Sequence, residues 1–194
     1  MSGKTCRIIS FLLAITMLCS LFVVANAEEN SGKEKVYSDM SEKYWGYEAI
    51  MKCRESGWFD CFSGEEFLPD RAVTYSEAVN VVSAYSGKSI KTKLDEKYED
   101  KNSEITREDM IYLIMSALDY IKEEKTANPF LIINAYSDYE NISEEMKALF
   151  SLATSKGIIS GHSDKTAKPN ESLTRAQLAV ILCNAESSKE KNAL

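Results

Sequence analysis

Residues 69 to 82 read PDRAVTYSEAVNVV and residues 169 to 182 read PNESLTRAQLAVIL, so the same proline, threonine and apolar stripe recur at an offset of 100 residues. The likeness extends upstream. Residues 57 to 70, GWFDCFSGEEFLPD, lie over 157 to 170, GIISGHSDKTAKPN, without a gap, and Tyr-Ser-Asp opens both regions at 37 to 39 and 136 to 138. Matching order and spacing point to duplication of one supersecondary unit, and such a unit buries its apolar face only by packing on its siblings.

Each unit reads as helix, loop, helix. In the later copy Ser143 is placed to cap a helix whose Met146, Leu149, Phe150 and Ala153 fall at i, i+3, i+4 and i+7, one stripe facing a core. Gly157 ends it as a left-handed cap, and Ile158 and Ile159 turn back to the same core. The earlier copy offers Ser41 as cap, Ala49, Ile50 and Cys53 as stripe, Gly57 as stop, and Trp58 and Phe59 as the returning pair.

The second helix of each copy opens on a capping box, Thr74-x-x-Glu77 and Thr174-x-x-Gln177, in which the hydroxyl takes one free amide and the Glu or Gln side chain reaches back to another. A third start, Ile105-Thr106-Arg107-Glu108-Asp109, places Asp109 where Glu is usual and leads into Met110, Ile111, Leu113, Ile114, Leu118 and Ile121. Thr74, Thr106 and Thr174 are unevenly spaced, which implies a middle unit that has lost most of its first helix and its glycine loop. Residues 91 to 104, KTKLDEKYEDKNSE, read as a solvated charged loop in that gap, and Pro129 to Ile133 as a short extended piece against the core.

Lys4 and Arg7 precede an apolar run from Ile8 to Val24, and Ala25-Asn26-Ala27 follows, the pattern of an export signal cleaved after Ala27, with an uncleaved membrane anchor as the alternative because the run is long for a signal. Without residues 1 to 27 the charge is 21 minus 30, or −9, and no basic patch offsets it, which argues against nucleic acid as a partner. No second apolar run is long enough to span a membrane. Cys53, Cys61 and Cys183 are too few for a disulfide framework, so the fold rests on burial. Cys53 and Cys61 either pair across a helix end or serve as small apolar residues. Their spacing and the single His162 supply no zinc site, and no cofactor is implied. The chain divides into a signal (1–27), a linker (28–36), a first repeat (37–87), a degenerate second (88–128), a third (129–187) and a charged tail (188–194).

With these residues in view, the chain resembles the S-layer homology module of bacterial surface proteins. The resemblance rests on Tyr37-Ser38-Asp39, Tyr44-Trp45, Gly157-Ile158-Ile159-Ser160-Gly161, Asp164, Pro169 and Leu173-Thr174-Arg175-Ala176-Gln177. It implies an all-α, pseudo-threefold arrangement of helix-loop-helix repeats around a central bundle of the three Thr-capped helices. It also implies a secreted, non-catalytic module that binds secondary cell-wall polysaccharide, pyruvylated in many members, and so attaches to the bacterial surface. The contacts it implies fall on Asp39, Trp45, Arg107, Asp138, Gly161 and Arg175.

The chemistry of those side chains suits the role. Arg107 and Arg175, at first helical positions, can fork onto a carboxylate, and the free amides there add positive potential. Gly161 lets backbone approach a sugar ring, Trp45 can stack on a sugar face, and Asp39 and Asp138 can accept hydroxyl hydrogen bonds. Each has a plainer alternative: solvated arginines, aspartates bracing turns, a tryptophan filling the core. His162 reads as a polar surface residue. Tyr75, Cys61 and Glu145 depart from the family pattern, so an envelope protein as partner of a module that has lost its glycan is the alternative function. Nothing singles out a catalytic pair, and the lone histidine removes most Ser-His and Cys-His schemes.

Overall fold

The computed structural model describes residues 37–126, 128 and 130–192. The proposed signal and the linker lie outside the described residues. The helices are α1 (Tyr47–Glu55), α2 (Tyr75–Ser86), α3 (Leu94–Lys97), α4 (Arg107–Ala117), α5 (Leu131–Ala135), α6 (Glu144–Ser155) and α7 (Arg175–Asn192), with 3-10 turns at Tyr120–Thr126 and Tyr139–Asn141. The fold is all-α, and among the described residues no helix is long and apolar enough to cross a membrane.

The starts of α2, α4 and α7 are tied to one another. Val73 N–H donates to the Leu173 carbonyl at 2.8 Å, Leu173 N–H to Ile105 at 3.1 Å, and Ile105 N–H to Val73 at 2.9 Å, a closed ring of three bonds. The first amide of each helix then bonds to the segment leading into another: Tyr75 to Ser103, Arg107 to Glu171 and Arg175 to Arg71. The second amides repeat the order, Ser76 to Lys101, Glu108 to Pro169 and Ala176 to Pro69. Helix-start amides with no intrahelical partner are thus satisfied across repeats. Val73, Ile105 and Leu173, all fully buried, form the apolar centre of the ring.

Around it α1 packs on α7, α6 on α4, and α2 on α4. Gly57 and Gly157, at φ 73° and 69°, end α1 and α6 in Schellman turns: Trp58 and Ile158 donate to Cys53 and Ala153, and the glycines to Arg54 and Thr154. The returning pairs reach the core, with Phe59, Ile158 and Ile159 buried and Trp58 packed edge-on against Tyr85.

Both complete capping boxes form: Glu77 and Gln177 amides donate to the Thr74 and Thr174 hydroxyls, and the threonine amides donate to the Glu77 and Gln177 side chains. The middle start differs from expectation. Asp109 is one methylene shorter than Glu and does not accept from the Thr106 amide; the Tyr98 hydroxyl does, at 3.2 Å, while donating to Asp109 at 2.6 Å. Tyr98 also stacks on Tyr75 at 4.6 Å and 3°, and Leu94 is buried at the start of α3, so residues 91 to 104 are not a solvated loop but carry two core anchors. Residues 131 to 133 are helical rather than extended, with Ile132 buried and Leu131 and Ile133 exposed.

Two expected caps are otherwise employed. Helix α1 starts at Tyr47 after Gly46, leaving Ser41 to accept from the Lys43 amide in a preceding turn. Ser143 precedes α6 but turns its hydroxyl to the Glu108 carboxylate, a buried acceptor that outcompetes the local amides.

Candidate functional site

The first positions of α2, α4 and α7 hold Tyr75, Arg107 and Arg175, and the ring of bonds places each beside the third position of another Thr-capped helix. For Arg175 that neighbour is Glu77: Nη2 meets Oε1 at 2.8 Å, Nη1 donates to the Phe67 carbonyl at 2.7 Å, and the guanidinium lies 4.1 Å over the Phe62 ring. Arg71 adds a second cation to Glu77 at 3.3 Å. The Glu77 carboxyl is held below the ordinary range because, although burial opposes this, the Thr74 amide and the two arginines favour its charged form. That cleft is filled by the protein's own side chains. Around Tyr75, Tyr98 and Asp109 do the same.

Arg107 stands differently. The residue in the position of Glu77 is Gln177, which carries no charge and lines the same cleft as Arg107, and the residue at the place of Phe62 is His162. Arg107 is only 7% exposed, yet among the described residues no carboxylate pairs with it; its Nε, like that of Arg175, is buried without a hydrogen-bond partner. Burial pushes the guanidinium down from its usual value, with Tyr136 and Asp138 opposing the shift. A buried cation without a counter-charge is costly, and a bound anion would offset that cost.

Arg107 forms part of the lining of an open cleft of about 190 Å3. Trp45, 62% exposed at the approach to α1, stands on one side; Gln177, Val180, Ile181 and Asn184 of α7 form another; the loop from Ile158 to His162 closes the third. Asn184 Nδ2 holds this loop through the Ile158 carbonyl at 3.3 Å. His162 has its pKa lowered by burial and by the Arg107 and Lys168 charges.

Of the six residues expected at a site, Trp45, Arg107 and Gly161 come together here. Trp45 is exposed, so it is not core filler. Gly161 has φ 75°, and a Cβ there would stand 2.7 Å from Tyr136 Cε1, so the glycine is required by Tyr136 whatever binds outside. Asp138 sits in another cavity of about 220 Å3 with Lys168 and Asn170, and its carboxylate accepts the Ala167 and Lys168 amides at 2.6 and 2.9 Å. Asp39 does the same for Phe67 and Leu68 at 2.8 and 2.7 Å. Leu68 and Lys168 have φ 55° and 49°, so both aspartates brace a left-handed residue. Arg175 is committed to Glu77 and Phe67. Of the other lining residues, His162 reads in sequence as a polar surface residue, Gln177 as part of a capping box, and Asn184 carries no signal; the one pointer was Gln177 standing where the earlier copy has Glu77.

Cys53 is not paired with Cys61, and its sulfur lies 4.0 Å from that of Cys183. No group of three or more metal-ligating side chains occurs among the described residues.

These features define a helical repeat module with an open cleft built around an unpaired arginine. Comparison with known proteins adds a likeness: the S-layer homology domain matches residues 36–79 and 135–179, in the two full copies of the unit. An endoglucanase from Bacillus sp. (strain KSM-635) is 24% identical over 204 residues, covering 90% of this chain and 21% of the relative. The chain thus spans about a fifth of that curated relative's length. S-layer homology domains serve attachment to the bacterial cell surface through cell-wall polysaccharide.

Proposed function

We propose that this chain is a secreted, non-catalytic module of three repeats, the middle one degenerate, that holds an acidic cell-wall polysaccharide in the Arg107 cleft. The observation that carries the reading is the buried Arg107 guanidinium, unpaired and facing an open cleft beside an exposed Trp45. A carboxylate on the glycan, such as a pyruvate ketal, would supply the missing counter-charge, and Trp45 would stack on a sugar ring. The pseudo-equivalent positions are occupied by Phe62, Arg175 and Glu77 in one case and by Tyr75, Tyr98 and Asp109 in the other, so one glycan segment is held per chain.

Cosedimentation with purified cell walls tests the proposal. The wild-type chain pellets with walls and Arg107→Ala stays in the supernatant at unchanged helicity; equal retention of the two would refute it. The two occupied clefts and the exposed Phe130, Leu131 and Ile133 favour a second reading, an envelope protein as partner. Co-purification of one defined protein after wall polymer is removed would favour that over the glycan.

A further inference from the structure

Cys53 lies on α1, with the cleft residue Trp45 two residues before that helix, and Cys183 lies on α7, which supplies Gln177, Val180, Ile181 and Asn184 to the cleft. Cys53, fully buried on α1, directs its sulfur to the Ala179 carbonyl of α7 at 3.7 Å; Cys183 on α7 directs its own to the Ala49 carbonyl of α1 at 3.6 Å. The two sulfurs face each other at 4.0 Å across this helix pair. A disulfide needs about 2.05 Å, so each sulfur has to come in by about 1 Å. Cys61, exposed at the loop after α1, makes no such approach.

We propose that Cys53 and Cys183 form an intramolecular disulfide on meeting a disulfide oxidant, a covalent staple joining α1 to α7. Access and acidity assign the order of attack. Cys183 is partly exposed, and its thiol is shifted down by the facing Cys53 sulfur, whereas Cys53 is fully buried and its thiol is shifted up by the facing Cys183 and by burial. Cys183 thiolate therefore attacks one sulfur of the oxidant R–S–S–R, breaking that bond, forming a mixed disulfide and releasing one thiolate. Cys53 gives up its proton and attacks the Cys183 sulfur, expelling the second thiolate. Two electrons pass from the cysteine pair to the oxidant, which leaves as two thiols, while the protein loses two hydrogen atoms.

The staple bears on the cleft, and this part rests on the glycan reading. Trp45 enters α1 from one wall, while Gln177 and Asn184, the latter next to Cys183, belong to the other. Fixing α1 on α7 fixes the separation of the two walls and removes a freedom that binding would otherwise have to quench.

The full chain is incubated with oxidised glutathione, alkylated and digested without reduction. The expected product is a peptide pair joining Cys53 to Cys183, with Cys61 outside it. The loop closed by the bond is 130 residues, so Tm is expected to rise on the order of 10 °C, reversibly on reduction and not in Cys53→Ser. Recovery of Cys53 as an alkylated thiol, or joined to Cys61, would overturn the staple. Wall retention of the oxidised and reduced chains is then compared, with a few-fold gain expected on oxidation. A mapped bond without that gain would overturn the effect on the cleft alone, and loss of retention in both forms would count against the glycan reading rather than the staple.

Discussion

Substituting Gln177 by Glu should close the Arg107 cleft from within. In the neighbouring repeat Glu77 stands at the same position, completes the same capping box and takes Arg175 at 2.8 Å, the two side chains being 17% and 7% exposed. Gln177→Glu keeps the cap, because a Glu oxygen can accept from the Thr174 amide as the Gln oxygen does at 3.1 Å. It also brings a carboxylate to the group that a glycan acid would neutralise. A hydrogen bond between charged partners contributes about 1.5–3 kcal/mol. A ligand that must displace it should bind roughly 10- to 150-fold more weakly. Titration calorimetry with purified acidic wall polysaccharide measures this, with circular dichroism as the control for folding. Undiminished affinity in Gln177→Glu would show that Arg107 is not the anion's partner. So would an equal loss in Arg175→Ala, since Arg175 is occupied by Glu77 and Phe67.

Arg175→Ala should instead lower stability, on the order of 3 kcal/mol, by stranding Glu77 and the Phe67 carbonyl; chemical denaturation checks it, and an unchanged midpoint would contradict the assignment. Gly161→Ala should cost on the order of 2 kcal/mol, since the new methyl both meets Tyr136 and forces a residue with a side chain to φ 75°, and a thermal melt within error of wild type would refute that geometry. His162 titrates below the ordinary histidine value in the folded chain. The unfolded chain therefore takes up the proton first, so stability is full above about pH 6.5 and declines as pH falls through the folded pKa. An anion in the cleft raises that pKa, so binding should tighten over the same interval with net proton uptake, detectable as a dependence of calorimetric heat on buffer ionisation; no uptake would place the anion away from His162.

The repeat, its helices and their ends were readable because they depend on local chemistry. A threonine three residues before Glu or Gln caps a helix wherever it stands, and a glycine after an apolar stripe stops one. The same local reading misjudged residues 91 to 104, where charge density concealed Leu94 and Tyr98, and it could not see that Asp109 is too short to close its box without the Tyr98 hydroxyl. Ser143 stands at the N-cap of α6 as expected, but its hydroxyl finds a buried carboxylate 35 residues away in sequence instead of a helix amide.

For the site, sequence determined which residue types were available: two arginines at equivalent helix starts, an aromatic at the approach to α1, a glycine in the loop. Those arginines are indistinguishable along the chain. Only the tertiary structure decided between them, because the ring of backbone bonds sets Arg175 against Glu77 and Arg107 against Gln177, pairs separated by 98 and 70 residues. Whether a buried cation is satisfied depends on the charge delivered to it by another repeat, and that is fixed by packing rather than by neighbours in sequence. The facing of Cys53 and Cys183 across α1 and α7 was decided in the same way.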